Sequence, residues 1–487
     1  FLNQSRRIPI ASDLDRPEWD KLWRYNLHYF DDLNARDATV RTQWHRALIK
    51  RWIIENPPGQ GTGWEPYPIS IRTVNWIKWA FSGNALEPTG LDSLAVQVRW
   101  LNQRLEYHLL GNHLFANAKA LIFAGLFFEG AEADHWLETG LGILGGELHE
   151  QVLPDGGQFE RSAMYHALAL EDLLDLINIA EAYSSELIPS KQLLDWRDTA
   201  SRMSYWLEAM CHPDGDIALF NDAAFSVAPT LSELMDYASR LSITTAPLTD
   251  SLVFLRDSGY VRIGAGPAVT FLDVAPIGPD YLPGHAHADT LTFELSLFGQ
   301  RVFVDSGTDR YGNGVERLRQ RGTVAHNTIL VNGQDSSEVW DGFRVARRAY
   351  PSQPVVEQTN GQIAITASHD GYKRLPGRNI HQRRWILTAD DLCIQDYVSG
   401  SFEQAQARLY LHPAVQIEEY DASYCKLTLR LQQGQLIRVE MVGTDSVEIE
   451  SATWHPEFGM AVPTVCIVAV LKACELTTRI VWQGTPH

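Results

Sequence analysis

Two histidines and an acid alternate in Pro283-Gly-His285-Ala-His287-Ala-Asp289. On a strand, residues two apart share a face, so His285, His287 and Asp289 would point the same way. Two imidazoles beside a carboxylate suit a metal site or an acid/base cluster. Further on, Val304-Asp305-Ser306-Gly307 closes one strand-like run, and Ala325-His326-Asn327-Thr328 opens another. Two His with one Asp supply the nitrogen and oxygen ligands expected for one divalent ion, zinc first, with manganese or calcium as alternatives. A hydrogen-bonded polar cluster without a metal is the plainer reading of the same residues.

A second group precedes these. Gly111-Asn112-His113-Leu114 places a polar dipeptide between two apolar helical stretches, where Asn112 is either a functional amide or a helix cap. The Gly-rich turn Asp155-Gly-Gly-Gln-Phe-Glu160 leads into a helix carrying Arg161, Ser162 and Tyr165, the last two on one helical face. Tyr25, His28 and Tyr29 lie in an aromatic and polar stretch, as do Trp64, Glu65, Tyr67, Arg72 and Asn75. Such faces suit sugar rings, although Trp and Tyr are equally at home in a large core.

The elements that must position these residues follow two periodicities. From about Trp19 to Leu241 apolar residues recur at three and four, which predicts helices over Thr42–Ile54, Ile71–Phe81, Leu91–Leu109, Asn117–Phe128, Ala133–Leu153, Ala163–Tyr183 and Lys191–Met210. With no strands between them, these helices must bury their faces on one another, as helix pairs in a solenoid or a closed toroid. No fixed-length repeat is present, which disfavours a regular solenoid. After about Thr244 the period becomes two. Thr290–Leu297 alternates cleanly, and strands are expected over Arg301–Asp305, Arg384–Leu387, Ala407–His412, Lys426–Leu431, Leu436–Met441, Val447–Ser451 and Val465–Leu471. The expected architecture is a helical domain over 1–245 and an antiparallel β-sandwich over 246–487.

Charge narrows the function. A net charge of −19 and a pI near 5.3 argue against general nucleic-acid binding. An anionic ligand would need a locally basic surface. The stretch Arg310–Arg384 offers one, with 12 Lys/Arg against 6 Asp/Glu, among them Arg317, Arg319, Arg321, Arg344, Arg347, Arg348, Arg383 and Arg384. The five cysteines form no CxxC pair and read as buried thiols. No apolar run reaches the length of a membrane span.

Taken in order, these segments resemble the heparinase II/III family of polysaccharide lyases. The matching residues are Tyr25-Asn-Leu-His-Tyr-Phe30, Arg72-Thr-Val-Asn-Trp76, Asn112-His113-Leu114, and Gly156-Gly157 with Glu160 and Tyr165-His166. In the β half they are His285-Ala-His287-Ala-Asp289, Val304-Asp-Ser-Gly-Thr308, Ala325-His326-Asn-Thr328 and Phe343-Arg344-Val345. The likeness runs from about residue 20 to about residue 350. It implies an incomplete (α/α) helical toroid followed by an antiparallel β-sandwich, and β-elimination at a uronate in an acidic polysaccharide. It assigns carboxylate neutralisation to Asn112 with His113, leaving-group protonation to Tyr165, and the role of base or base partner to His285. It further implies His287, Asp305 and His326 as ligands of one mainly structural divalent metal. Tyr25, Trp64, Tyr67, Arg72, Glu160 and Arg344 are expected to contact substrate. Some relatives carry a glutamate just after the neutralising position, whereas residues 113–120 contain no acid.

A glycoside hydrolase on the same toroid would need two carboxylates facing each other, and Glu65, Asp155 and Glu160 form no pair that can be placed. A catalytically idle sugar-binding protein is the other alternative. Phe1-Leu2-Asn3-Gln4 has no signal-peptide character; the expected compartment is periplasmic or extracellular, with the cytoplasm as the alternative.

Overall fold

The computed structural model describes residues 1–183, 188–359 and 361–482. They divide into two compact units, Phe1–Gln151 with Glu171–Asp198, and Val152–Leu170 with Thr199–His487. The first unit holds the helices α1 (Lys21–Leu27), α2 (Thr42–Glu55), α3 (Pro66–Phe81), α4 (Pro88–Asn102), α5 (Gly111–Phe127) and α6 (Ala131–Gln151). The chain passes from one unit to the other within α7 (Ala163–Ala182) and α8 (Ser190–Ala209), while α9 (Leu231–Arg240) and α10 (Val315–Arg321) belong to the second.

Helix α5 explains how the first unit packs. Its sequence is mostly apolar, with Asn117 and Lys119 as buried polar exceptions, and every residue except Asn112, His113 and Phe127 is buried. Gly125 and Gly140 let α5 and α6 approach closely: a Cβ at Gly125 would stand 2.6 Å from Leu137 Cβ, and one at Gly140 would stand 2.9 Å from the Ala118 carbonyl. The predicted helix over Leu91–Leu109 stops at Asn102, and α5 starts six residues before the predicted Asn117. The connecting segment ends at Leu110, whose φ of 58° is left-handed, so the chain turns sharply into Asn112.

The second unit is built on antiparallel sheets. The strands β1 (Leu252–Leu255), β2 (Tyr260–Ala265), β3 (Ala268–Asp273), β4 (Phe293–Leu297) and β5 (Gln300–Phe303) form a five-stranded meander. Then follow β6 (Ile329–Val331), the short hairpin β7 (Val339–Trp340) and β8 (Arg344–Val345), β9 (Val355–Thr359), β10 (Gln362–His369), β11 (His381–Leu387) and β12 (Asp391–Val398). The remaining strands are β13 (Ala405–Tyr410), β14 (Gln416–Asp421), β15 (Lys426–Arg430), β16 (Leu436–Val442), β17 (Thr444–Trp454), β18 (Val462–Leu471) and β19 (Glu475–Trp482). An eight-stranded sheet runs β14-β15-β16-β19-β12-β11-β10-β9, and a four-stranded sheet runs β17-β18-β13-β6. Leu295, Ile365, Trp385, Ala407 and Ile467 share one hydrophobic core, so the sheets bury a common face.

One strand expectation is corrected. Residues 285–289 are not a strand; β4 begins at Phe293, and the histidines sit on an irregular segment leading to Leu291, whose φ is 66°. The alternation along β4 is genuine, but its polar face is buried too. Glu294 and Ser296 are covered by His212, whose ring nitrogens lie 2.5 and 2.7 Å from their oxygens. Among the described residues no helix is long and apolar enough to cross a membrane.

Candidate active site

In the second unit, the turn before α7 fixes Tyr165. Gly156 has φ 92°, and a Cβ there would lie 2.4 Å from the Arg202 carbonyl, so that position admits only glycine without a shift. Ser162 Oγ accepts from the Tyr165 amide at 3.3 Å and donates to the Asp222 carbonyl at 2.6 Å, which caps the helix and ties it to Asp222. The Tyr165 hydroxyl lies 2.7 Å from that of Tyr311, and its ring lies 4.1 Å from the His285 imidazole.

His285 Nδ1 stands 2.9 Å from Asp222 Oδ2. An ionised Asp222 can only accept there, so Nδ1 carries the proton and Nε2 is left as the basic nitrogen. Nε2 lies 3.8 Å from Glu160 Oε2. The ring retains 14% side-chain exposure, whereas Asp222, His287 and Arg317 are wholly buried. Asp222 is the residue that sequence reasoning misses. Beyond His285 it accepts from His287 Nε2 at 2.8 Å and from both terminal nitrogens of Arg317, one of them at 2.7 Å. Burial alone would raise its pKa; the Arg317 guanidinium and the two imidazoles instead hold it well below the usual carboxylate range.

His287 and His326 form a distinct cluster. His287 Nδ1 and His326 Nε2 are buried and have no hydrogen-bond partner among the described residues. One donor atom from each of His287, Asp289 and His326 falls within 4.8 Å of the others. Burial pushes Asp289 up to about 7 and His287 down to about 3. The buried Asp305 carboxylate adds to the rise of Asp289, and burial first, then Asp289 and Asp305, raises Asp273. Two orphaned imidazole nitrogens beside excess buried negative charge fit a divalent cation, which would replace the missing partners. Of the expected ligands, His287 and His326 lie in this cluster, and Asp305 meets it through His326. Asp305 Oδ2 lies 2.7 Å from His326 Nδ1, and its Oδ1 accepts from the Gly307 amide at 3.0 Å. Asp305 thus stands behind His326 as Asp222 stands behind His287, and Asp289 offers a carboxylate oxygen to the cluster.

The first unit gathers a separate set. Asn112 and His113 occupy the first turn of α5, which has no side-chain cap, so Asn112 is not its cap. The Asn112 amide hydrogen-bonds Tyr67. His113 Nδ1 lies 3.0 Å from Glu106 Oε1, and its ring lies 4.5 Å from that of Tyr67. Asn117 holds Glu106 from both sides, donating to Oε2 at 3.0 Å and accepting from the backbone amide at 2.9 Å. Tyr25 donates to Glu65 and stacks on Tyr67 with centroids 6.4 Å apart. Burial raises the phenol pKa of both tyrosines above the ordinary value.

Two of the expected substrate contacts are buried within the first unit. Arg72 is 0% exposed, and its guanidinium is consumed by Gln97 and by the carbonyls of His28 and Gly63. Trp64 is 4% exposed, stacks on Trp52 and donates to the Asn56 carbonyl. Both belong to the packing of the first unit. Most of the basic stretch is paired within the chain: Arg317 with Asp222, Arg319 with Glu316, Arg347 with Glu338, Arg348 with Asp280, Arg383 with Asp396 and Arg384 with Glu357. Arg344 differs, being exposed on β8 with no partner for its guanidinium among the described residues. Glu160 is 3% exposed and stands beside His285.

Comparison with known proteins agrees with this architecture. Residues 17–242 match the heparinase II/III N-terminus family, and residues 247–483 match the heparinase II/III-like C-terminal family. A heparin-sulfate lyase of Bacteroides stercoris is 27% identical over 367 residues, covering 71% of this chain and 52% of that protein. One from Pedobacter heparinus is 28% identical over 363 residues, covering 66% and 53%. The chain thus spans about half the length of the curated relatives it matches. Among solved structures, a heparinase III superposes with a TM-score of 0.77 at 19% identity, over 100% of this chain and 80% of that one. A heparan sulfate lyase of Pedobacter heparinus gives 0.66 at 19%, over 97% and 79%. At that identity the likeness shows the fold, a helical toroid followed by an antiparallel β domain.

Proposed function

The chain belongs to the heparinase II/III family, and from that premise we propose that it is a polysaccharide lyase that cleaves an acidic, uronate-containing glycosaminoglycan by β-elimination. Heparan sulfate is the first substrate to test, because the curated relatives bear the name heparin-sulfate lyase. The observation that carries this reading is the Asp222–His285–Tyr165 arrangement, a base with a fixed tautomer packed against a phenol.

His285 Nε2 takes the C5 proton of the uronate. The electron pair forms the C4–C5 double bond, the C4–O bond breaks, and the Tyr165 phenol gives its proton to the departing oxygen. Ionisation at C5 is resisted by the neighbouring carboxylate, so that charge must be neutralised. The family resemblance assigns this neutralisation to Asn112 with His113, which lie at an uncapped helix start of the first unit. One divalent ion, zinc first, would be held by His287, Asp289 and His326. When bound it would neutralise the buried carboxylates and fix the segment carrying His285. The polymeric substrate makes the periplasm or the exterior the working compartment. An ultraviolet absorbance assay tests the reading, since elimination leaves a conjugated 4,5-unsaturated uronate, whereas hydrolysis or binding leaves none.

A further inference from the structure

The hairpin β7–β8 projects an aromatic and a cation that the rest of the unit leaves unused. Trp340 and Arg344 are directly opposed in its register. Opposed side chains on an antiparallel pair share a face, with Cβ atoms about 4.5–5.5 Å apart. Trp340 is 53% exposed, and neither its indole nor the Arg344 guanidinium has a partner among the described residues. The neighbouring arginines differ, because Arg347 is paired with Glu338 and Arg348 with Asp280.

The hairpin is also held in register with His285. Arg321 donates to the Ala286 carbonyl at 2.9 Å and to the Asp341 carbonyl at 3.1 Å, joining the histidine segment to the hairpin turn. Arg317, which clamps Asp222, donates through Nε to the Gly342 carbonyl at 3.2 Å. A Cβ at Gly342 would lie 2.6 Å from the Gly312 carbonyl, so the turn is seated closely. Next to Gly342, the Phe343 ring is 6.0 Å from the His285 imidazole. Trp340 and Arg344 flank this turn, one residue beyond Asp341 on one side and Phe343 on the other.

We propose that Trp340 and Arg344 form a sugar subsite adjoining His285, in which a pyranose ring stacks on the indole and its anionic substituent binds the guanidinium. Arginine presents a planar fork of donors that fits sulfate and carboxylate alike. Indole offers a flat apolar face at low conformational cost. The inference rests on the polysaccharide-lyase reading and extends it to the feature that selects the substituent.

Isothermal titration with size-defined uronate oligosaccharides, one sulfated and one unsulfated, tests it on the full chain. Trp340→Ala is expected to weaken both ligands about tenfold. Arg344→Gln is expected to weaken the sulfated ligand alone if the guanidinium reads sulfate, and both ligands if it reads the carboxylate, again by about tenfold. Melting temperatures should stay at the wild-type value, since both side chains are exposed. Affinities within twofold of wild type for both variants, or no binding by the wild type, would overturn the subsite. A wild type that binds but yields no absorbing product would instead overturn the elimination reading and leave the subsite standing.

Discussion

The imidazole of His285 and the carboxylate of Asp222 meet at 2.9 Å through Nδ1 and Oδ2, and the same carboxylate receives His287 and Arg317. One buried acid thus orients the proposed base, a metal-ligand candidate and a buried guanidinium. Asp222→Asn keeps the shape but removes the charge and leaves Arg317 uncompensated. Breaking a buried pair of this kind costs about 3–5 kcal/mol. A clear fall in melting temperature is expected, together with at least a tenfold loss of kcat measured well below the new transition. Wild-type turnover in a folded Asp222→Asn variant would detach Asp222 from the role given to His285.

Tyr165→Phe removes one hydroxyl and keeps the ring against His285. Turnover is expected to fall by about 10²–10⁴, the usual contribution of a positioned acid or base. Stability should change little, because the ring packing is kept and the hydroxyl gives up its contact with Tyr311. A Phe variant with near-normal rate on the best substrate would exclude Tyr165 from proton transfer.

Elemental analysis separates ligands from their supports. His287→Ala, His326→Ala and Asp289→Asn are each expected to abolish stoichiometric metal and to lower the melting temperature, since an ion bound only by the native state stabilises it. Asp305→Asn should weaken retention by about 10–100-fold without abolishing it, as expected of a group that orients a ligand. His285→Ala should retain the metal. Full metal content in Asp289→Asn with none in Asp305→Asn would return the carboxylate role to Asp305.

The first unit carries its own buried charge cluster. Asp175 lies 2.6 Å from Lys119 Nζ and 2.9 Å from Lys78 Nζ, and although burial raises its pKa, the two ammonium groups hold it well below the usual carboxylate range. A depressed carboxyl contributes stability that is present above its unfolded pKa and lost as pH falls through the folded one. The difference in melting temperature between wild type and Asp175→Asn should therefore be full at neutral pH and shrink below about pH 4. A difference that stays constant down to pH 2 would contradict this.

The helical half was legible because its apolar residues follow one period over long stretches, and α2, α6, α7 and α8 begin or end within two residues of the expected positions. The start of α5 was hidden, because Leu110 enters it through a left-handed turn that no local signal marks. Strand β4 was legible from alternation, but the histidine segment before it was not, since its geometry depends on Asp222 and Arg321 from distant parts of the chain. His285 and Tyr165, expected from motif order, come together with ring centroids 4.1 Å apart. Asp222 was missed because a lone acid after Asn221 carries no pattern, and its role appears only when Arg317 and both imidazoles converge on it. Arg72 and Trp64 misled because residue type cannot tell a buried strut from a sugar contact; burial decides it.

Elimination by this chain is the central claim. Ultraviolet absorbance should be followed while the purified full chain acts on heparan sulfate, chondroitin sulfate, hyaluronan and alginate, with His285→Ala and Tyr165→Phe in parallel. The account predicts a steady rise in absorbance on at least one uronate polymer, reduced by orders of magnitude in both variants. Shortening of the polymer without any rise, or a rise that both variants reproduce at the wild-type rate, would contradict it.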